Sequence, residues 1–172
     1  NLAAKLHYMT GGQIRVPVVI RTATGAGGGG SATHSQSLEA WFYHVPGLKV
    51  VMPTTPYDAK GLLKTAIRDD SPVLFLEHKL LYQSKGPVPV GDYCIAFGEA
   101  AIRRTGKDIT IVATGAMVNE ALKAADEVWS ESEIDLEIID PRTLVPLDLD
   151  RLVCSVKKTR KAIIFNEAPS RG

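Results

Sequence analysis

Short apolar, β-branched runs alternate with segments of helical periodicity along most of this 172-residue chain, and that alternation limits its fold more than any other feature. Strands are predicted over residues 16–21, 48–52, 72–77, 98–104, 108–113, 134–139 and 162–165. Helices are predicted over 2–9, 35–44, 116–130 and 147–157, with one more running from Thr55-Pro56 to the Asp69-Asp70-Ser71 end. Thr55 is suited to cap that helix and Pro56 to its first position, where the missing N–H costs nothing. Strand–helix–strand succession occurring twice predicts an α/β protein of two parallel sheets covered by helices. Between them, residues 78–97 carry Gly86, Pro87, Pro89 and Gly91 with little helical period, and read as an interdomain connection. The chain opens inside a helix and closes after a strand whose covering helix should follow. It therefore reads as part of a longer protein, with one apolar sheet face bare.

Composition removes several classes of function. With 45% hydrophobic and 23% charged residues, the chain has ample material for a core. A net charge of +1 gives no bulk electrostatic case for nucleic acid or membrane as partner. The cluster Lys157-Lys158-Thr159-Arg160-Lys161 reads as a solvated helix end. No apolar run nears the ~20 residues needed to span a bilayer. Cys94 and Cys154, with no C-x-x-C spacing, read as small buried hydrophobes in a reducing compartment.

One stretch carries candidate chemistry. The apolar run Val16-Pro17-Val18-Val19-Ile20 leads into Gly25-Ala26-Gly27-Gly28-Gly29-Gly30, then into Thr33-His34-Ser35-Gln36. Open α/β sheets bind ligands beyond the carboxyl ends of their strands, and a glycine loop there permits close approach. His34, whose side chain titrates nearest neutrality, is the candidate catalytic residue. Gly25-x-Gly27-x-x-Gly30 formally matches the dinucleotide fingerprint, but no acidic residue stands ~20 positions on to take a ribose. Glu39, on the helix expected to follow His34, is a candidate to orient the imidazole or to face solvent. Trp41 and Phe42 are expected to pack in a core or interface. The helix end at Asp69-Asp70-Ser71 sets unpaired carbonyls beside carboxylates, which suits a solvated end or a hard cation.

The runs His34-Ser35-Gln36, Pro46-Gly47-Leu48-Lys49-Val50-Val51-x-Pro53, Tyr57-Asp58-Ala59-Lys60-Gly61-Leu62-Leu63 and Asp140-Pro141-Arg142-Thr143-Leu144 resemble one family. It is the β subunit of the thiamine-diphosphate-dependent first component of 2-oxo acid dehydrogenase complexes. Glu77-His78-Lys79-Leu80-Leu81-Tyr82 is most similar to the acetoin-cleaving and pyruvate-type branches.

The resemblance implies a partial transketolase-like pyrimidine-binding domain over residues 1–85, a linker over 86–97, and a partial transketolase carboxyl-terminal domain over 98–172. It implies cleavage of a carbon–carbon bond and transfer of the acyl unit to a lipoyl group. It implies an α subunit and a second β subunit in a heterotetramer, working with a lipoyl acyltransferase core. Thiamine diphosphate and magnesium would be held mainly by the α partner, and the family's cofactor-binding residues lie upstream of the position matching Asn1. His34 matches the family's active-site histidine. Val18, Ala66, Ile67, Asp69 and Ser71 match positions that hold potassium in relatives. A prokaryotic cytoplasm, or an organelle matrix if eukaryotic, is the expected compartment. Two other readings stand beside this one: a non-catalytic assembly core, and another transketolase-type enzyme such as a sugar-phosphate synthase.

Overall fold

A computed structural model of the chain describes residues 1–170. The first half comprises α1 (Leu2–Met9), β1 (Val19–Thr24), α2 (Glu39–Tyr43), β2 (Lys49–Val51), α3 (Pro56–Ile67) and β3 (Val73–His78). The second half comprises β4 (Ala101–Arg104), β5 (Ile109–Ala113), α4 (Ala116–Ser132), β6 (Leu136–Asp140), β7 (Thr143–Val145), α5 (Leu149–Thr159) and β8 (Ala162–Phe165).

Two four-stranded sheets form, ordered β1-β3-β2-β7 and β4-β6-β5-β8. Pairing is parallel within β1-β3-β2 and within β6-β5-β8. The expected parallel α/β sheets are therefore present, and each also carries an antiparallel edge strand, β7 on β2 and β4 on β6. β7 is the more consequential, because it comes from the second half of the chain and completes the first sheet. Three residues followed by Pro146 give too short a run for periodicity to register as a strand.

α3 forms where expected, and its start explains why. The Thr55 hydroxyl accepts from the Asp58 N–H at 3.1 Å, and the Asp58 carboxylate accepts from the Thr55 N–H at 3.2 Å. This reciprocal capping box satisfies two donors that the first turn leaves unpaired. Leu62 and Ala66 of α3 then pack with Val51, Val73 and Phe75 on one face of the first sheet. Val50, Met52, Leu74 and Leu76 line the other face, with Leu144 and Val145 of β7 against them. In the second sheet Val118, Ala121 and Ala125 of α4 cover Ile111 and Ile138. The segment after β3 has no strand and one short 3-10 turn, Lys79–Leu81. It straps the outside of α3, with Ile95 buried in that core and Tyr93 stacked on Tyr57 at 4.7 Å.

Three local expectations are corrected. β1 begins three residues later than predicted, because Pro17 has no N–H for a ladder and the Val18 N–H turns back to the Val16 carbonyl. The predicted helix over 35–44 shrinks to Glu39–Tyr43. Before it, Gln36 gives its carbonyl to Gly25 N–H and Ser37 gives its hydroxyl to Glu167, commitments that keep this stretch out of a helix. Trp41 is exposed, whereas Phe42 packs beneath the first sheet. Both cysteines are also exposed, Cys94 accepting from Arg68 at 2.7 Å. Elsewhere Ile163 and Ile164 of β8 and Tyr8 of α1 are exposed. Among the described residues no helix is long and apolar enough to cross a membrane.

Candidate active site

β1 and β3 run parallel in register and end together, with Thr24 opposite His78. The glycine segment leaves the sheet there, and His34 returns on a 3-10 turn spanning Ala32–His34. His34 therefore stands on an exposed turn, five residues before α2, and not at a helix start. It lines a cavity of about 340 Å³ with Thr22, Thr24, Gln36, Leu76 and Lys79. The Lys79 ammonium donates to the His34 carbonyl and fixes the turn from the far side of the cavity. Glu39 does not reach His34. Its carboxylate accepts from the Thr24 hydroxyl at 2.8 Å and ties the end of β1 to the start of α2.

The sequence gives no sign of Glu167 or of the three groups gathered around it. This residue follows β8, and its Oε1 accepts from the Ala26 N–H at 3.0 Å, the Ser37 hydroxyl at 2.8 Å and the His78 ring at 2.8 Å. His78 is fully buried at the end of β3. Its Nδ1 accepts from the Leu80 N–H at 3.3 Å, which assigns the ring proton to Nε2 and makes that nitrogen the donor to Glu167. Burial pushes the Glu167 carboxyl up, but Ser37, Ala26 and His78 outweigh it and hold the group below the ordinary glutamate value of 4.5. The contribution of these bonds is thus complete above that value and is lost as pH falls through the lowered one. Burial likewise opposes, and Lys158 and Ser155 overcome it, in lowering Glu137. Urea denaturation of the protein between pH 7 and pH 3 is expected to give falling stability on the acid side, beginning near pH ~4.5.

Gly25 sits directly over His78. A Cβ there would lie 2.3 Å from Nε2, at a φ of +93° that side chains rarely adopt. Gly115 at the start of α4 faces the same ring, with a Cβ position 3.2 Å from Cδ2. Gly25→Ala is expected to cost about 1–3 kcal/mol by strain and clash, read as a lower denaturation midpoint.

The two halves are also bolted together by buried charge. Arg103 on β4 pairs with Asp58 of the capping box and with Asp140 at 2.6 Å, and Arg142 pairs with Asp58 at 2.8 Å. Both carboxylates are fully buried. Burial pulls the Arg103 guanidinium down, and Asp140 and Asp58 more than reverse it.

The five residues named for a cation gather where α3 ends and β1 and β3 begin. The Val18 carbonyl accepts from Val73 N–H at 2.9 Å and the Ala66 carbonyl from Asp69 N–H at 3.3 Å. The Asp69 carboxylate accepts from Ser71 N–H at 2.8 Å and is paired with Lys49. What this corner offers an ion is therefore mainly carbonyl oxygen. Among the described residues no group of three His, Cys, Asp or Glu side chains is placed to hold a metal. No carboxylate lines the cavity beside His34 either.

Residues 1–85 match the transketolase pyrimidine-binding domain, and residues 98–172 the transketolase carboxyl-terminal domain. The chain is 54% identical over 171 residues to the acetoin:2,6-dichlorophenolindophenol oxidoreductase subunit beta of Cupriavidus necator, covering 99% of this chain and 50% of that protein. It is 48% identical over 166 residues to the pyruvate dehydrogenase E1 component subunit beta of Bacillus subtilis, covering 96% and 51%. The chain thus spans about half the length of these curated relatives. A solved structure described as a split-gene transketolase, an inactive beta4 tetramer, superposes with a TM-score of 0.75 at 25% identity, over 97% of this chain and 55% of that one.

Proposed function

Because this chain belongs to the transketolase family, uniting its pyrimidine-binding and carboxyl-terminal domains, we propose that it forms part of the β subunit of a thiamine-diphosphate-dependent dehydrogenase. Its substrate is a pyruvate-type 2-oxo acid or acetoin, and the acyl unit passes to a lipoyl group. The observation that carries this reading is the setting of His34. An imidazole stands on a turn beyond the carboxyl end of a parallel strand, at the mouth of a cavity, in a chain about half identical to an acetoin-oxidising β subunit.

Thiamine diphosphate, when bound, supplies the carbon nucleophile that opens a substrate carbonyl. The cavity offers an imidazole, hydroxyls and an amide but no carboxylate, so these residues suit one wall of such a site. The diphosphate with its magnesium belongs on an α partner, in a heterotetramer with a second β subunit and a lipoyl acyltransferase core. His34 moves protons at the edge of the site. It protonates substrate oxygen as the carbonyl is attacked, and sulfur as one half of the lipoyl disulfide takes the acyl unit and the other half takes a proton. Lys79, bonded to the carbonyl of His34, holds the turn in place.

The test uses the full-length β chain carrying this sequence, purified alone and with its α partner. Reduction of dichlorophenolindophenol is followed with pyruvate or acetoin, with and without thiamine diphosphate. Turnover that needs both subunits and the cofactor is the expected result. A complex that forms and binds cofactor but turns over neither substrate would favour the assembly-core reading. Turnover of sugar phosphates instead would favour another transketolase-type enzyme.

Potassium at the Val18, Ala66, Ile67, Asp69 and Ser71 corner is a second part of the proposal, supported by the Val18 and Ala66 carbonyls and the Asp69 carboxylate beside the end of α3. An ion bound only by the folded state raises the melting temperature. A rise of about 2–4 °C in KCl over NaCl at equal ionic strength is expected. Equal melting temperatures would remove the assignment.

A further inference from the structure

We propose that Glu167 is the positioning residue for His34, a carboxylate from the second domain that clamps both feet of the loop carrying it. The inference rests on the functional reading of His34 given above, and its structural half can be tested without it.

The loop leaves the sheet at Gly25-Ala26 and rejoins the body of the protein at Gln36-Ser37. Its two feet are joined directly by the Gly25 N–H donating to the Gln36 carbonyl at 3.0 Å. A single atom, Glu167 Oε1, then accepts from the first foot at Ala26 N–H and from the second at the Ser37 hydroxyl. Between the feet the chain is held at Gly27, which lies close against Leu80, and at the His34 carbonyl, which accepts from Lys79. Added Cβ atoms at Gly28 and Gly29 would meet nothing within 4 Å, so the tip stands in open space. The clamp therefore fixes where the loop leaves and rejoins the body of the protein, and His34 lies within the span it closes. Tying the ends of a flexible segment to one point restricts every residue between them.

The carboxylate is itself held in place. The buried His78 donates to the same oxygen through Nε2 while its Nδ1 is engaged by Leu80 N–H. Gly25 and Gly115 leave room for that ring. Lys79, the next residue, bonds the His34 carbonyl. The end of β3 thus reaches the loop twice, through His78 and Glu167 at its feet and through Lys79 at its turn. Because Glu167 follows β8 of the second sheet, the loop takes this path only when the two domains are docked.

The experiment compares wild-type full-length β chain with Glu167→Ala, Glu167→Gln and Ser37→Ala, each assembled with its α partner. Amide exchange is read over residues 25–37 and, as an internal control, over α4. Losing hydrogen bonds to a charged acceptor is expected to raise exchange in the loop at least about tenfold in Glu167→Ala. α4 should be unchanged. Glu167→Gln keeps an oxygen acceptor for Ala26 and Ser37, so it should recover much of the protection. Ser37→Ala, which leaves the carboxylate intact, gives a milder second reading should Glu167→Ala fail to assemble. Loop exchange unchanged in Glu167→Ala and Ser37→Ala would overturn the clamp.

Turnover is measured beside His34→Ala. Where His34→Ala abolishes turnover, Glu167→Ala is expected to lower kcat roughly tenfold with KM little changed and with partial rescue in Glu167→Gln. A wild-type kcat in Glu167→Ala would overturn the positioning role. Where His34→Ala itself turns over normally, the functional reading of His34 has failed, and with it the positioning role, while the exchange result still decides the clamp.

Discussion

Asp58→Ala in the full-length β chain is expected to lose about 3–5 kcal/mol of stability. The carboxylate is fully buried and is shared by Arg103 and Arg142. Removing it leaves Arg103 with Asp140 alone and takes from the Arg142 guanidinium its carboxylate partner, and a buried charge with no partner costs more than the pair contributed. The same change deletes half of the α3 capping box, worth about 1 kcal/mol in typical helices. Against a total stability of about 5–15 kcal/mol, the loss should appear as a large drop in the urea midpoint. Because Arg103 and Arg142 belong to the second domain and Asp58 to the first, undocking should accompany it. Asp126→Ala, removing an exposed partner of Arg104, is the control and should cost under about 1 kcal/mol.

His34→Ala is expected to lower turnover by about 100- to 10,000-fold, the range that a positioned general acid–base residue contributes. The fold should be spared. The side chain is exposed on a 3-10 turn, and the Lys79 contact is made to its backbone carbonyl, which alanine keeps. Activity and stability should therefore separate in this variant, whereas in Asp58→Ala they should fall together.

What was legible in the sequence follows the range of the interactions. The capping box at Thr55 and Asp58 spans three positions, so residue type and spacing sufficed to start α3 correctly. The apolar runs of β3 and β5 carry their own periodicity. β7 was missed because its strand character comes from pairing with β2, over ninety positions away, rather than from its own three residues. The length of α2 was overestimated for a similar reason: Ser37 is claimed by Glu167, 130 positions on. His34 stands out in the sequence as a histidine after glycines at a strand end, and the family resemblance points to the same residue. His78 and Glu167 gave no local signal, since their partners are 89 positions apart in sequence and meet only when the two domains dock. Residue type alone cannot tell the outer face of α5, where Cys154 is exposed, from its inner one, nor place Cys94 on the outside of the segment after β3.

The central claim is that His34 handles protons in acyl transfer at a thiamine-diphosphate site. A single-turnover measurement on the assembled enzyme tests it most directly, with cofactor occupancy and acylation of a lipoyl domain followed in the same sample for wild type and His34→Ala. Equal occupancy with acyl transfer slowed at least about 100-fold in the variant is the predicted result. Equal occupancy with transfer at the wild-type rate would contradict it.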